Sequence, residues 1–484
     1  MVARALIVWG THSGAGKSWL CTALCRWAVQ RGVDVAPFKA QNMSNNARVV
    51  AVPDGGHGEI GSAQYFQALA ARVRPSVDMN PVLLKPERDT ASQVVVNGRV
   101  QAALGSMPWR ERSQHLALAA HASLQRLQDR HELLVLEGAG SPAETNLAPQ
   151  DYVNLETARW ADARALLVSD IDRGGAFAHL YGTWALLPDD LRPRLAGFVL
   201  NKFRGDAALL APGPAQLQAL TGVPTLAVLP MWREHGLPEE DGVFDDAPAG
   251  RGAVRLRVAV VATPHISTLD EFEPLRRVDG LHLRWAREPG ALDGADWVIL
   301  PGSKQVSGDL AWLRASRLDD AIQRHVAQGG AVLGLCGGLQ MLGLSLNDPE
   351  GHDGEAGVAM AGLGLLPLHT RFEADKRVRP ATLHFGATTL TWAPLAGVSA
   401  MGYEIHHGRT VSESAAVLHD AEGHALGWQQ GRVLGLYANG LFEDAAVQRA
   451  LFGAGVTTLD SVFDGLAAHI DAAFEPGALQ RLIL

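Results

Sequence analysis

The sequence predicts an α/β protein made of two successive layered sheets. Three observations predict it. Short apolar runs that end in polar residues alternate with segments of helical period. Two glycine-rich turns, around 10–18 and 334–338, each join such a run to a helical segment. Between the two series lies Trp232 to Val254, acidic at first and then rich in Pro, Gly and Ala, which is the expected boundary. The expected division is 1–235, a linker at 236–254, 255–450, and a helical tail at 451–484 without a motif.

The bulk numbers fit this division. A chain of 484 residues is too long for one core. With 47% hydrophobic and 19% charged residues it reads as globular, and a net charge of −9 argues against nonspecific binding to nucleic acid or an anionic membrane. Three cysteines in no framework spacing suggest a reducing cytoplasm. The N-terminal apolar run is too short for a signal peptide. The uncharged run Gly329 to Asn347 has the length of a membrane span, but its six glycines and the polar Gln340, Ser345 and Asn347 favour a buried strand, turn and helix.

In chain order, residues 5–9 form an apolar strand. The loop Gly10 to Ser18 follows, and then a helix with Leu20, Leu24, Trp27 and Ala28 on one face. Strand, glycine loop and helix with Gly-Lys-Ser at the helix start describe a phosphate site. Backbone N–H groups around Gly10, Thr11, Gly14 and Gly16 cradle phosphate oxygens, Lys17 reaches the terminal phosphates, and Ser18 holds Mg²⁺. The strict pattern wants glycine where Thr11 stands. Cys21 and Cys25, one turn apart with no further ligand at metal spacing, read as core packing. Strands are expected at Val33 to Phe38, Leu133 to Leu136, Ala165 to Ser169 and Phe198 to Leu200. A polar loop is expected at Lys39 to Asn46 and a helix at Gly61 to Arg72. Polar residues at the strand ends make Glu137, Asp170 and Asp172 candidates for a second Mg²⁺ contact, with helix capping as the plain alternative.

After the boundary, strands are expected at Leu256 to Ala262, Trp297 to Leu300 and Ala331 to Leu335. The last leads into Gly334-Leu-Cys336-Gly337-Gly338 and a helix starting near Leu339. A strand, tight turn and helix lift the middle side chain out of the sheet as a nucleophile elbow, here with a thiol, and the helix N-terminus favours the thiolate. Backbone N–H groups at Gly337 and Gly302 could hold an oxyanion. A buried core cysteine is the plain alternative.

Several longer words carry a resemblance. The loop at 10–18 resembles the variant P-loop of the dethiobiotin synthetase-like ATPases. Pro37-Phe-Lys-Ala-Gln-Asn-Met43, Pro75-Ser-Val-Asp-Met-Asn-Pro81 and Glu137-Gly-Ala-Gly-Ser-Pro-Ala-Glu144 resemble words of the glutamine-hydrolysing adenosylcobyric acid synthase family. So do Asp170-Ile-Asp-Arg-Gly-Gly175 and Asn201-Lys-Phe-Arg-Gly-Asp206. In the second half Leu300-Pro-Gly-Ser-Lys304, the elbow through Gly343, and Gly402-Tyr-Glu-Ile-His406 resemble its amidotransferase domain. The likeness runs from about residue 5 to about residue 450.

The resemblance implies a P-loop doubly wound parallel sheet followed by a class I-type glutamine amidotransferase α/β domain. It implies ATP and Mg²⁺, no prosthetic group, and a corrinoid substrate. The expected reaction amidates the b, d, e and g carboxylates of adenosylcobyrinic acid a,c-diamide through acyl phosphates, with glutamine as nitrogen donor, in the cytoplasm. Cys336 takes the place of the family's nucleophile; Lys39 and Asp172 are candidates for further phosphate or metal contacts, and Arg88, Arg173 and Arg204 for anion contacts, with solvated surface arginines as the plain alternative for each. The family's base is a histidine in Gly-x-Tyr-x-His-Gly-x-Phe, where this chain reads Gly435-Leu-Tyr-Ala-Asn439-Gly-Leu-Phe442. Asparagine cannot exchange a proton near neutral pH. Three readings stay open: an engineered or aberrant residue in an active member, an enzyme left to free ammonia, or another base, with His406 and His407 nearest in sequence, although His406 belongs to a family word and a structural hydrogen bond is its plainer role. The rival reactions are those of a cobyrinic acid a,c-diamide synthase and of a regulatory P-loop protein with a dead amidotransferase module.

Overall fold

The computed structural model describes residues 3–88, 91–105, 107–232, 235–238, 249–453 and 458–483. Most of the expected linker, and the side chain of Arg88, lie outside the described residues.

The first half is built on six parallel strands. Across the sheet their order is Thr225–Pro230, Leu195–Phe203, Arg164–Asp170, Arg4–Gly10, Leu133–Glu137 and Val35–Phe38. Leu133–Glu137 is buried at every position, as a strand covered on both faces must be. The chain leaves Arg4–Gly10 towards one edge and returns to its other side at Arg164–Asp170. The strand order therefore reverses beside Gly10, where such sheets open a crevice.

The stretch Lys39 to Asn46 was expected to be loop throughout. It contains the strand Gln41–Met43, which pairs in parallel with Val82–Arg88. Three residues whose partner lies forty positions away carry no local period. A hairpin, Ala47–Ala51 with His57–Gly61, follows, and the helix runs Ser62–Ala70.

Among the described residues, the main sheet of the second half has nine strands. Asp279–Ala286, Ala249–Val261, Trp297–Leu300, Ala331–Leu335 and Val433–Leu436 are parallel neighbours. Ala425–Gln430, Leu418–His419, Arg377–Phe385 and Ser399–His406 continue the sheet antiparallel. Ala249–Val261 begins inside the stretch expected as linker.

The tail is helical at Leu459–Ala473 and Ala478–Ile483, and it returns to the first half. Phe463, Leu466 and Ile470 share a core with Leu20 and Leu24 of the helix Lys17–Val29. Each such side chain contributes about 1.5–3 kcal/mol by burial. Arg26, fully buried, donates to Asp460 and Asp464 at 2.7 Å, and Trp27 Nε1 donates to Asp471 at 2.6 Å. The helix behind the glycine loop is thus clamped by residues more than four hundred positions away. Among the described residues no helix is long and apolar enough to cross a membrane.

Candidate functional site

The crevice beside Gly10 is lined by the glycine loop. Gly14 and Gly16 have φ of 74° and 100°, and a Cβ on Gly16 would collide with the Asn201 amide, which itself donates to Ala15 O at 2.9 Å. A Cβ on Gly10 would lie 2.9 Å from Lys17 Nζ. Lys17 is buried and donates to His12 O and Gly140 O, each at 3.1 Å, so its ammonium lies folded over the loop. Thr11 donates its hydroxyl to Ser169 Oγ at 3.1 Å.

Ser18 and Glu137 meet here: Ser18 Oγ donates to Glu137 Oε1 at 2.7 Å. Lys39 Nζ donates to the same oxygen at 2.8 Å, and Gln67 Nε2 to Oε2 at 2.6 Å. Burial alone would raise the Glu137 carboxyl; the Lys39 ammonium and these hydrogen bonds outweigh it and hold the group below the usual glutamate range. Asp172 is directed elsewhere, accepting from Arg204 Nε at 2.7 Å. The buried carboxylate at that strand end is Asp170, which pairs with Lys202 at 3.1 Å and Arg173 at 3.5 Å.

The second centre is Cys336, between the strand Ala331–Leu335 and the helix Gly337–Leu342. Its backbone stands at φ 47°, ψ −105°, a conformation non-glycine residues rarely adopt. The neighbouring glycines allow it. A Cβ on Gly338 would run into Leu300 O, and one on Gly337 would lie 2.7 Å from Ser303 N. Gly337 and the Gly302–Ser303 stretch therefore adjoin at the turn, with Gly302 paired to Ser267. Cys336 Sγ donates to Asn439 Oδ1 at 3.3 Å. Asn439 is itself held by backbone bonds in both directions with Tyr403, at 2.9 and 3.1 Å. Burial is the largest force raising the thiol, and the Glu271 carboxylate adds to it against the Asn439 hydrogen bond.

A small cavity is lined by Cys336, and both halves wall it. The second half contributes Ser303, Lys304, Gln340, Lys376, His406, His407 and Asn439; the first contributes Asn45, Ala47 and Lys85. Across the seam Lys376 donates to Glu59 Oε1 at 2.5 Å, and Lys85 bonds the other oxygen of Glu59. Arg48, from the hairpin, is buried in the second half. It donates to Tyr403 Oη at 2.9 Å and to Asp270 and Glu443 at 2.5 Å.

These two centres match two families of domain. The CobQ/CobB/MinD/ParA nucleotide binding domain matches residues 6–239, and the CobB/CobQ-like glutamine amidotransferase domain matches residues 257–447. Over the whole chain, a cobyric acid synthase of Methylibium petroleiphilum is 63% identical, covering 99% of this chain and 97% of the relative. One of Variovorax paradoxus is 62% identical over 100% of both. The chain belongs to the cobyric acid synthase family.

Family membership gives the two centres their context: a nucleotide-binding half and an amidotransferase half that share one wall. Several members of these centres had no signal in the sequence. Glu271 follows no motif, yet its carboxyl is fully buried, accepting from Leu441 N at 3.1 Å with Oε2 unpartnered. Burial first, and then Glu443, push it up to about 8, against the pull of Arg48. Arg48 and Glu59 lie in a stretch of ordinary composition. Only the hairpin register, Arg48 opposite Ile60 and Val49 opposite Glu59, brings them to the seam. Asn201 was visible as part of a family word, though not its contact with Gly16.

Proposed function

We propose that the chain amidates the b, d, e and g side-chain carboxylates of adenosylcobyrinic acid a,c-diamide, using ATP and glutamine. In the first half a substrate carboxylate oxygen attacks the terminal phosphorus of ATP and ADP leaves. Ammonia then attacks the acyl phosphate carbon and phosphate leaves. Lys17, released from its two carbonyl partners, would meet the charge developing on the phosphates, where most phosphoryl-transfer catalysis resides. The residues fit Mg²⁺: a hydroxyl and a carboxylate of lowered pKa converge at the end of the loop, so Ser18 and Glu137 would hold the ion. Bound there, the ion neutralises phosphate charge.

In the second half Cys336 attacks the glutamine side-chain amide, and backbone N–H groups of Gly337 and the adjoining Gly302 stretch would receive the oxyanion. The carrying observation is that one cavity is lined both by Cys336 and by Asn45, Ala47 and Lys85 of the nucleotide-binding half. Ammonia made at the thiol starts next to the half that consumes it. Free ammonia is mostly protonated at neutral pH, so local release has a chemical advantage.

The test compares glutamine with ammonium salt as nitrogen donor. With corrinoid and ATP, each amide formed should be matched by one ADP. Amidation with neither donor would overturn the assignment. ATP turnover indifferent to corrinoid would favour a regulatory P-loop protein instead.

A further inference from the structure

Asn439 occupies the position from which a base would serve Cys336, and an amide side chain neither takes nor returns a proton near neutral pH. We propose that His406, held by Glu404, carries the proton for Cys336 in this chain. This rests on the glutamine-hydrolysing role assigned above.

Cys336 and His406 line the same cavity. The His406 side chain is only 7% exposed, and its Nε2 is bound to Glu404 Oε2 at 3.1 Å. Glu404 is fully buried and is itself fixed by Arg379 Nε at 2.6 Å, with Arg377 at 4.0 Å. The ring stacks on Tyr437, with centroids 3.9 Å apart and planes 21° from parallel. One nitrogen and one face are therefore spoken for. The other nitrogen, Nδ1, is buried without a hydrogen-bond partner. An imidazole that lines the nucleophile's cavity, fixed through one nitrogen by a carboxylate and with its second nitrogen unpartnered, is the arrangement by which a base is oriented for a thiol.

The other titratable groups at the cavity suit the role less well. Burial and the Lys376 ammonium push His407 down to about 4, too weak a base at neutral pH, and its Nδ1 is bound to Glu373 O at 3.3 Å. The His352 ring is tied to the exposed Glu350. Glu271, behind the cavity wall, holds its proton at neutral pH and so cannot take one from the thiol. Lys304 and Lys376 line the remaining wall with Lys85, whose amine burial and those two lysines push well below the usual lysine range, and Asp353 is engaged by Val306 N and Ser307 N.

With the glutamine amide between the two side chains, the Cys336 S–H bond breaks and its proton passes to Nδ1 as sulfur bonds to the amide carbon. The C–N bond then breaks as the imidazolium returns the proton, releasing ammonia and leaving the thioester. Water next gives a proton to Nδ1 as its oxygen bonds to the carbonyl carbon. Sulfur leaves and recovers the proton, so glutamine and water become glutamate and ammonia.

The experiment measures glutamate release and ammonium-supported amidation in the full chain and in His406→Asn. Glutamate release should fall at least ~10²-fold in kcat, with the rising limb of its pH profile lost. Ammonium-supported amidation should stay within about twofold, since this residue is remote from the phosphate loop. Added imidazole should restore glutamate release at least ~10-fold in the variant, and Glu404→Gln should move the rising limb to lower pH. An unchanged rate and pH profile in His406→Asn would overturn the proposal. So would a loss that imidazole does not relieve. An unmodified chain that releases no glutamate yet amidates with ammonium would also overturn it, while leaving the synthetase reading in place; amidation with neither donor defeats that reading instead.

Discussion

Replacing Arg48 with methionine should loosen the seam between the two halves. Its guanidinium serves Tyr403, Asp270 and Glu443 and lies 5.0 Å from the Phe66 ring centroid. Methionine keeps most of the aliphatic stem and removes the charge. Asp270 and Glu443 then keep their burial without a cation, beside Glu271, which already retains its proton. Breaking a buried ion pair from one side costs about 3–5 kcal/mol. For units of this size each kcal/mol moves the midpoint by about 2–4 °C, so the loss should be roughly 6–20 °C. The pH dependence has a definite sign. Burial already raises Glu443, and Arg48 opposes that rise. Without Arg48 the folded-state value climbs further above the unfolded one. The folded state then holds a proton that the unfolded chain releases, and stability falls as pH rises between the two values. The deficit should therefore be larger at pH 8 than at pH 5. Adding Asp270→Asn and Glu443→Gln to Arg48→Met should recover most of it, because neutral partners no longer need the cation. Thermal unfolding by calorimetry across this pH range is the assay. A midpoint within about 2 °C of the parent at both pH values, or no recovery in the triple variant, would refute the reasoning.

Glu271→Gln should raise stability at pH 8 by on the order of a few kcal/mol. The parent's Glu271 contribution is present below the unfolded glutamate value and is lost as pH rises towards about 8, and the variant should lack that slope. The same change removes a negative neighbour from Cys336, so iodoacetamide should modify the thiol faster at pH 8. Glu137→Gln should cut corrinoid-dependent ATP turnover at least ~10²-fold while glutamate release stays within about twofold, read by separate ADP and glutamate assays. Gly16→Ala forces a side chain onto the Asn201 amide at φ 100°; calorimetric titration with ATP should show binding weakened at least ~10-fold, against a folded control.

Residues whose chemistry is local could be read from the chain. Gly16, Lys17 and Ser18 point to the proposed phosphate loop because the helix start supplies the rest of such a site. Cys336 declares an elbow because glycines are needed within two residues of it. Glu137 was identifiable only as one of several strand-end carboxylates. What separates it from Asp172 is the convergence of Ser18 Oγ, Lys39 Nζ and Gln67 Nε2 on its two oxygens, from three other elements. Arg48 and Glu271 were not legible at all. Their meaning lies in how a hairpin of the first half enters the second, a pairing that no local propensity encodes. The tail was legible as helix, but its clamp on Arg26 depends on charges at both ends of the chain.

The two centres are also joined through the protein interior. Ser18 and Lys39 share Glu137, Asn80 accepts from Gly61 N at 2.9 Å and donates to Lys39 O at 3.1 Å, and Gly61 ends the hairpin that carries Arg48. Arg48 bonds Tyr403, whose backbone holds Asn439 against Cys336. Each link is a hydrogen bond or a short rigid strand, so a shift at the phosphate loop has a continuous mechanical route to the elbow. Spatial continuity becomes energetic coupling only if one link has two arrangements that both sites bias. Lys17 supplies a concrete candidate. Its ammonium holds Gly140 O, three residues beyond Glu137, and nucleotide phosphates would compete for it. Glutamate release that rises when a non-hydrolysable ATP analogue binds, and no longer does so in Arg48→Met, would identify that route as the coupling. A response unchanged in the variant would separate the hairpin's structural role from signalling.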